Sequence, residues 1–589
     1  MLVGSRAPYT LGAVAALTVC LALLPVAAAY IAHLLVDAAG TALREADPPA
    51  RSAAQRDAIF FAIAEGIVLA GIMASKWLNL YAKKLLLAEA SYAANEAVFI
   101  KTAGFGLSAL EDAETQQRIT LARQNANTRP FSLINRMLDC SQNLLTLLSV
   151  GALLAVFSPL AVLVVILGAL PLFFSEVYFS GSVFRFMTGK TPELRRRNYI
   201  ANLLTSDGAG PERIFTQADP ELREAYNDLY RASWNEGRAL MARRTGKGLV
   251  LMLFGACVFL GVGVWVVWSA TTGLLTIGAM VMYLALLRQG QSAAQTLLAT
   301  IAGAYEDLLY ISNFFTLIDT PDREMRGQRR SGDIPGDGYR LENVSFRYPN
   351  METNSVERVT LHLPPGSRLG ILGENGSGKT TLVKLMAGLY LPSEGRITLD
   401  GTDLRDWAPD ALFDRASILF QPYMRYRFSV ADTIAMGEGL RVRDPDRIRK
   451  AAERGQAMTV IDRLPQGMDT KLSREFPDGQ ELSGGQWQRI ALARSMLRDR
   501  ADLLIFDEPT SALDPAAESQ FLESLRGLPC SLVLITHRLV NLRGMDRIIV
   551  MDRGHVTEDG SHLELMARGE EYARLYRKQA EPYEIAVTG

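Results

Sequence analysis

Long apolar runs fill the first three hundred residues of the chain, and a more polar, charged pattern follows after about Asp319. A helix needs about 20 mostly apolar residues to cross a bilayer. Six runs meet this requirement: residues 9–36, 58–80, 131–157, 159–186, 248–269 and 274–298. The pattern therefore predicts six membrane-spanning helices, because so many long runs with so few charges are not typical of a soluble helical core.

The connections between these runs alternate in length and in charge. Runs three and four, and runs five and six, are separated by turns of a few residues that contain no Lys or Arg. The second-to-third and fourth-to-fifth connections span tens of residues and are rich in Lys and Arg. Since positive charge marks the cytoplasmic side of a membrane protein, we expect both long connections and both chain ends in the cytoplasm. The predicted location is the cytoplasmic membrane, with several passes.

A few ionisable residues interrupt the predicted spans. Each is costly against lipid, so each is expected to face the interior of the helix bundle or a cavity. Two interpretations remain open, namely pairing between helices, with Arg288 beside a carboxylate, and a polar cavity for a substrate. The candidates are Glu65, Asp139, Glu176 and Arg288. Glu65 is the strongest cavity candidate, because no cation is obvious at its depth.

Composition supports a chain of two parts. The 589 residues are too many for one compact core, and the formal net charge of −1 provides no basic field for nucleic acid. After a stretch rich in Gly and Arg, strand-like and helix-like segments alternate as in an α/β domain. We therefore predict a membrane domain over residues 1–320, a linker over 321–338 and an α/β domain over 339–589.

A phosphate-binding loop is the first chemical motif of the second part. The strand-like run 368–372 leads into a glycine-rich loop that opens a helix, matching the pattern G-x-x-x-x-G-K-[ST] in its expected context. Main-chain N–H groups and the helix N-terminus attract phosphate oxygens there. We expect Lys379 to reach the β- and γ-phosphates of a nucleotide and the Thr380 hydroxyl to bind Mg²⁺. The full set is Gly373, Glu374, Asn375, Gly376, Ser377, Gly378, Lys379, Thr380 and Thr381.

Two further motifs complete the predicted chemistry. The apolar strand 503–506 ends in Asp507 and Glu508, which suit a Mg²⁺ ligand and a general base for the attacking water. Between the two phosphate motifs, the segment 482–486 (Leu-Ser-Gly-Gly-Gln) opens a helical run, and its Ser483 and glycines form a second anion-binding helix start.

This set of motifs, in this order, resembles the ATP-binding cassette (ABC) transporters, and the segment 482–486 is the most specific mark of that family. The resemblance implies ATP and Mg²⁺ as ligands. It implies that Tyr348 stacks on adenine and that Gln421 binds Mg²⁺ and senses the membrane domain. It also implies that residues 511–514 form the D-loop and that His537 is the switch histidine.

The layout resembles the exporter type of this family, which implies a membrane α-helical bundle of six transmembrane helices followed by an α/β P-loop nucleotide-binding domain. One phosphate loop and one signature segment imply a half-transporter that pairs with a second copy or with a related half-transporter. In such a pair, Ser483, Gly485 and Gln486 act on the ATP of the partner. The coupling helices would lie near 108–114 and 205–213.

The resemblance further implies ATP-driven export by alternating access. Trp487 after the signature, the segment 476–481, and Arg425 with Tyr426 look similar to bacterial exporters of lantibiotics and other peptide natural products. A lipid flippase and a siderophore-type importer on the exporter scaffold share this architecture and remain alternatives. A soluble ABC ATPase is disfavoured by the six apolar runs.

Overall fold

The computed structural model describes residues 8–584 except for 127, 165–166, 169, 172–173, 175–178, 180–190, 207, 322–326, 350, 441–443 and 511–512. Its contacts divide the chain into two compact units. The membrane unit contains residues 1–104 and 113–321, and the nucleotide unit contains residues 105–112 and 322–589. The short segment 105–112 lies inside the range predicted for the membrane domain but makes its contacts with the nucleotide unit.

Long helices build the described part of the membrane unit. Apolar positions recur along them, and membrane helices tolerate interior residues such as Pro25 of α1 and the glycines of α8, so these helices continue for many turns. The helices, with α3 assigned to the nucleotide unit, are α1 (Pro8–Arg44), α2 (Pro48–Ala103), α3 (Leu107–Glu111), α4 (Ala113–Ala126), α5 (Arg129–Phe157), α6 (Thr191–Thr205), α7 (Gly210–Thr216), α8 (Asp219–Thr271) and α9 (Ile277–Ile318).

Four of these helices, α1, α2, α5 and α8, are long and apolar enough to cross a membrane. The predicted fourth run, 159–186, lies largely outside the described residues. The predicted sixth run falls in α9, where Arg288 and its polar neighbours interrupt the apolar sequence. The α9 helix nevertheless packs with α1 and α5, and Leu286 and Leu287 lie in the buried apolar cluster of the unit.

A buried charge network ties α5 to α9. Asp307 has no exposed surface, and its carboxylate accepts hydrogen bonds from Arg129 and Arg136, each at 2.8 Å, and from Ser132 at 2.5 Å. A buried carboxylate is tolerated only when its oxygens are paired in this way. The network therefore defines how these two helices pack at this level.

Two β-sheets and a set of short helices form the nucleotide unit. The larger sheet has the order β10-β9-β3-β8-β7-β6, with parallel pairing throughout except for the edge strand β10, and the smaller antiparallel sheet has the order β2-β1-β4-β5. The strands are β1 (Tyr339–Phe346), β2 (Val356–Leu363), β3 (Arg368–Gly373), β4 (Glu394–Leu399), β5 (Thr402–Asp403), β6 (Ala416–Leu419), β7 (Leu503–Asp507), β8 (Ser531–Ile535), β9 (Arg547–Asp552) and β10 (His555–Gly560).

Apolar side chains on both faces of the parallel sheet build two cores. One core contains side chains of the smaller sheet, of β3 and the helix after it, and of Trp407, whereas Trp487 and Phe521 belong to the other core. The helices are α10 (Lys379–Met386), α11 (Pro409–Asp414), α12 (Val430–Ala435), α13 (Pro445–Arg454), α14 (Met458–Ile461), α15 (Gly484–Ser495), α16 (Pro515–Arg526), α17 (His562–Arg568) and α18 (Glu571–Glu584). Since β3, β7 and β8 are parallel neighbours, the residues that follow them meet at one sheet edge.

Candidate active site

The phosphate loop connects β3 to α10 with two residues in the left-handed region. Gly376 has φ 83° and Gly378 has φ 100°, values that L side chains rarely adopt. A Cβ on Gly378 would also lie only 2.3 Å from the main-chain oxygen of Ser355. Glycine is therefore required at position 378 both by backbone conformation and by space.

Lys379 and Ser377 provide the polar groups of this loop. The Lys379 Nζ donates to the main-chain oxygens of Gly373 and Glu374, each at 2.7 Å. Burial lowers the pKa of Lys379, and the charges of Asp507 and Glu508 oppose that shift. The Ser377 Oγ is buried and has no hydrogen-bond partner among the described residues. The buried, unpartnered hydroxyl of Ser377 and the partly desolvated ammonium of Lys379 both fit a phosphate ligand.

A hydroxyl and a carboxylate meet where β7 ends. The Thr380 Oγ1 donates to Asp507 Oδ2 at 3.0 Å. Burial raises the pKa of Asp507, and the Thr380 hydrogen bond partly offsets this effect. These oxygen donors fit Mg²⁺, which favours one or two protein oxygens together with water and substrate phosphates. The described residues contain no cluster of three or more His, Cys, Asp or Glu side chains for a metal, so an all-protein cage is not formed there.

Glu508 and His537 form the second pair of the site. The Nε2 of His537 lies 2.7 Å from Oε1 of Glu508. Glu508 has φ 51°, and its main-chain N–H donates to Ile535 O at 3.0 Å. The pair therefore joins the ends of the neighbouring parallel strands β7 and β8, as the sheet order requires.

Tyr348 lies beside the same helix. Its hydroxyl is 3.1 Å from Thr381 Oγ1, and its ring makes edge contacts with Phe346 at 5.0 Å and Tyr390 at 5.5 Å between centroids. The Tyr348 ring is therefore half-buried and fixed by its neighbours, and such a ring can stack on the base of a nucleotide.

Gln421 and the signature segment stand apart from these contacts. Gln421 follows β6 and is exposed, and the described structure shows no hydrogen bond from it to Thr380 or Asp507. Ser483 is the N-cap of α15, where its side chain and that of Gln486 form a capping box. Within the described chain, no hydrogen bond or ion pair joins Ser483, Gly485 or Gln486 to the phosphate loop. Residues 511–512 of the predicted D-loop lie outside the described residues.

The intramembrane candidates are placed differently from one another. Asp139 pairs with Lys83 at 2.7 Å, so its partner is not Arg288. Arg288 is exposed and forms no ion pair with any residue in the described part of the chain. Glu65 is half-buried, and Glu176 lies outside the described residues.

Several contacts of the nucleotide unit were not predicted from the sequence. Glu111 of α3 pairs with Lys384 at 3.1 Å and accepts a hydrogen bond from the Tyr390 hydroxyl. Gln488, two residues after the signature, donates to the main chain next to Glu508. In the sequence, Glu111 is visible as an acid in the predicted coupling segment and Gln488 as an amide after the signature. Neither residue has a fixed spacing to its partner, so the sequence could not predict these contacts.

Comparisons with known proteins agree with this geometry. A family model described as ABC transporter matches residues 356–511. The subtilin transport ATP-binding protein of Bacillus subtilis is 28% identical over 498 residues, which cover 83% of this chain and 79% of the relative. The solved structure of a bacterial Atm1-family ABC exporter with ATP bound superposes with a TM-score of 0.81 at 22% identity, covering 98% of this chain and 99% of the other.

The chain is an ABC exporter half-transporter. This ABC exporter therefore binds ATP, and it is a membrane protein with an ATP-hydrolysing translocase domain. A half-transporter has to dimerise to form a complete transporter. Lipid A-core flippases are also similar, for example that of Alkalilimnicola ehrlichii at 38% identity over 267 residues. That match covers 45% of this chain and 44% of the flippase, so the chain spans under half the length of this relative.

Proposed function

We propose that this ABC exporter works as a homodimer that exports a peptide natural product from the cytoplasm. The supporting observation is the separation of two half-sites in one chain. Lys379, Asp507 and Glu508 are assembled around the phosphate loop, whereas the signature end of α15 forms no hydrogen bond or ion pair with that loop in the described residues. A second chain is then needed to place a signature segment opposite each nucleotide.

In this proposal the residues of the site divide the work of ATP hydrolysis. Lys379 and the loop residues 373–378 hold the β- and γ-phosphates, and Tyr348 holds the base. Thr380, Asp507 and Gln421 would hold Mg²⁺, which neutralises charge on the phosphates when it is bound. Glu508 accepts a proton from the attacking water, and His537 keeps its carboxylate oriented through the 2.7 Å contact.

The signature segment would add the contact that drives closure. Ser483, Gly485 and Gln486 lie at the start of α15, where N–H groups of a helix attract an anion. In a pair of chains they would bind the γ-phosphate held by the partner. Because this contact exists only in the closed dimer, ATP favours closure by the free energy of that contact.

The cargo proposal depends on the length of the match to the subtilin transporter. An alignment of 498 residues is longer than either unit, so it includes much of the membrane unit, which must contact cargo. Matches to lipid A-core flippases are shorter, for example 267 residues for Alkalilimnicola ehrlichii and 337 residues for Dechloromonas aromatica, so they include less of the membrane unit. Subtilin is a lantibiotic peptide. A peptide is therefore favoured over a lipid, and Glu65 is the one intramembrane carboxylate of the described part that we propose for contact with it.

The Glu508→Gln variant tests the nucleotide chemistry in purified, reconstituted protein. We expect ATP binding to persist and turnover to fall by about a hundredfold or more, because the base is replaced by an amide of the same size. Near-normal hydrolysis would remove Glu508 from this role.

The orientation of the protein in the membrane is tested by protease access to the nucleotide unit in sealed inverted vesicles.

The cargo is tested in the same proteoliposomes. ATP-dependent accumulation of a labelled lantibiotic-type peptide, absent in Glu508→Gln, is the expected result. Translocation of a labelled lipid without any peptide accumulation would instead establish a flippase.

A further inference from the structure

Helix α15 carries two sets of functional contacts on one short rigid segment. Ser483 caps its N-terminus, and Gln488 and Arg489 lie in its second turn. A helix rises 1.5 Å per residue, so these residues are separated by less than two turns. A displacement of the signature end therefore also moves the side chains at 488 and 489.

Gln488 contacts the main chain at the catalytic carboxylate. Its side chain is buried, and its Nε2 donates to Pro509 O at 2.6 Å and lies 3.3 Å from Glu508 O. The next residue, Arg489, pairs with Asp514 at 3.1 Å. Two consecutive side chains of α15 thus hold both ends of the segment 508–514, whose residues 511–512 are outside the described structure.

The main-chain conformation of Glu508 depends on these contacts. A non-glycine residue at φ 51° is unfavourable unless the surrounding structure holds it. Two main-chain contacts hold it here, namely Glu508 N–H to Ile535 O and Gln488 Nε2 to the carbonyls of residues 508 and 509. Without the Gln488 donor, only the contact to Ile535 O remains of these two, and the Glu508 carboxylate is positioned less precisely against His537.

We propose that Gln488 is a positioning residue that fixes the main-chain conformation of Glu508. Because Gln488 and the signature residues lie on the same helix, α15, it also couples the binding of the partner's ATP by the signature to the base that acts on this chain's own ATP. This inference depends on the dimer and on the role of Glu508 proposed above. It assigns Gln488 no contact with nucleotide. Its effect should therefore appear in turnover and in communication between sites, not in nucleotide affinity.

The decisive variant is Gln488→Met, which keeps the side-chain length and removes the amide donors. We expect kcat for ATP hydrolysis to fall by about tenfold to a hundredfold, with KM for ATP changed by less than about twofold, because a small misplacement of a catalytic group lowers the rate strongly. The Hill coefficient for ATP should fall to about one, since the two sites no longer communicate. Gln520→Met, on the exposed face of α16, is the control and should behave as the unmodified protein.

Gln488→Glu provides a second test if the Met variant is poorly folded. It retains size and polarity but places an acceptor against two carbonyl oxygens, and the same loss of kcat at constant KM is expected. An unchanged kcat in a folded variant overturns the inference, as does a parallel change of kcat and KM or a Hill coefficient that stays above one. If Glu508→Gln itself retained hydrolysis, the proposed function would fail first, so the two failures are distinguishable.

Discussion

The contacts of Glu111 lead to a quantitative prediction about coupling. Residues 105–112 interrupt the membrane unit in sequence, between α2 and α4, yet make their contacts in the nucleotide unit. Glu111 pairs with Lys384 on the helix after the phosphate loop and with Tyr390, whose ring contacts Phe346 at 4.9 Å. Burial, and then the Glu111 contact, raise the pKa of Tyr390, so its hydroxyl stays protonated and donates.

The change to make is Glu111→Gln. The Glu111 side chain is 44% exposed, so its ion pair with Lys384 contributes only about 0.5–1 kcal/mol after screening. The hydrogen bond from Tyr390 to a charged acceptor adds about 1–2 kcal/mol at this exposure. The glutamine oxygen can still accept from Tyr390, so the variant loses the ion pair and the charge-assisted part of this hydrogen bond, together about 1–2 kcal/mol. This loss corresponds to a roughly 5- to 30-fold weaker attachment of the segment 105–112.

The assay is cargo transport per ATP hydrolysed in proteoliposomes. We expect hydrolysis to continue, because Glu111 does not contact the catalytic residues, while transport per ATP falls several-fold. Glu114→Gln is the matched control, since Glu114 pairs with Arg118 in the membrane unit and its side chain is 72% exposed. Equal coupling in the unmodified protein and in Glu111→Gln, or equal loss in both variants, would refute the reasoning.

Three further predictions concern the nucleotide unit. Lys379→Ala should weaken ATP binding by at least about tenfold, measured with a fluorescent ATP analogue, because it removes a charge-assisted phosphate contact; binding of unchanged affinity would contradict the assigned role. Asp507→Asn should raise the Tm of the nucleotide-free protein at neutral pH, because burial raises the pKa of Asp507 and its ionised form opposes folding. This gain in Tm should shrink as the pH falls towards the pKa of Asp507, where the carboxyl becomes neutral. The same variant should lose the stabilisation that Mg²⁺ and ATP give. A lower Tm of the variant at neutral pH would contradict this reasoning. Trp487→Ala should destabilise the nucleotide unit by about 3–5 kcal/mol, since this side chain is 2% exposed in the core, and a denaturant titration that shows no shift would contradict that burial.

The residues that follow parallel strands were predictable because their chemistry is local. The phosphate loop has a fixed spacing, and Asp507 and Glu508 end an apolar strand, so the sequence indicated these motifs and their order. Their common sheet edge came from the parallel pairing of β3, β8 and β7 in the structure. The membrane helices followed from the length of the apolar runs, and the α/β class followed from the alternation of strand-like and helix-like segments, both of which are local properties of the chain.

Contacts between distant residues were decided only by the tertiary structure. The sequence predicted a possible carboxylate partner for Arg288, but Asp139 pairs with Lys83, 56 residues away, because the packing of α2 against α5 selects that lysine. In the same way, Glu111 reaches Lys384 and Tyr390, and Gln488 reaches the carbonyls of residues 508 and 509. The sequence by itself determined which elements form and which motifs can bind phosphate, because those properties depend on neighbours along the chain. Which charges pair and which backbone is held depends on distances across the fold, and only the packed structure defines them.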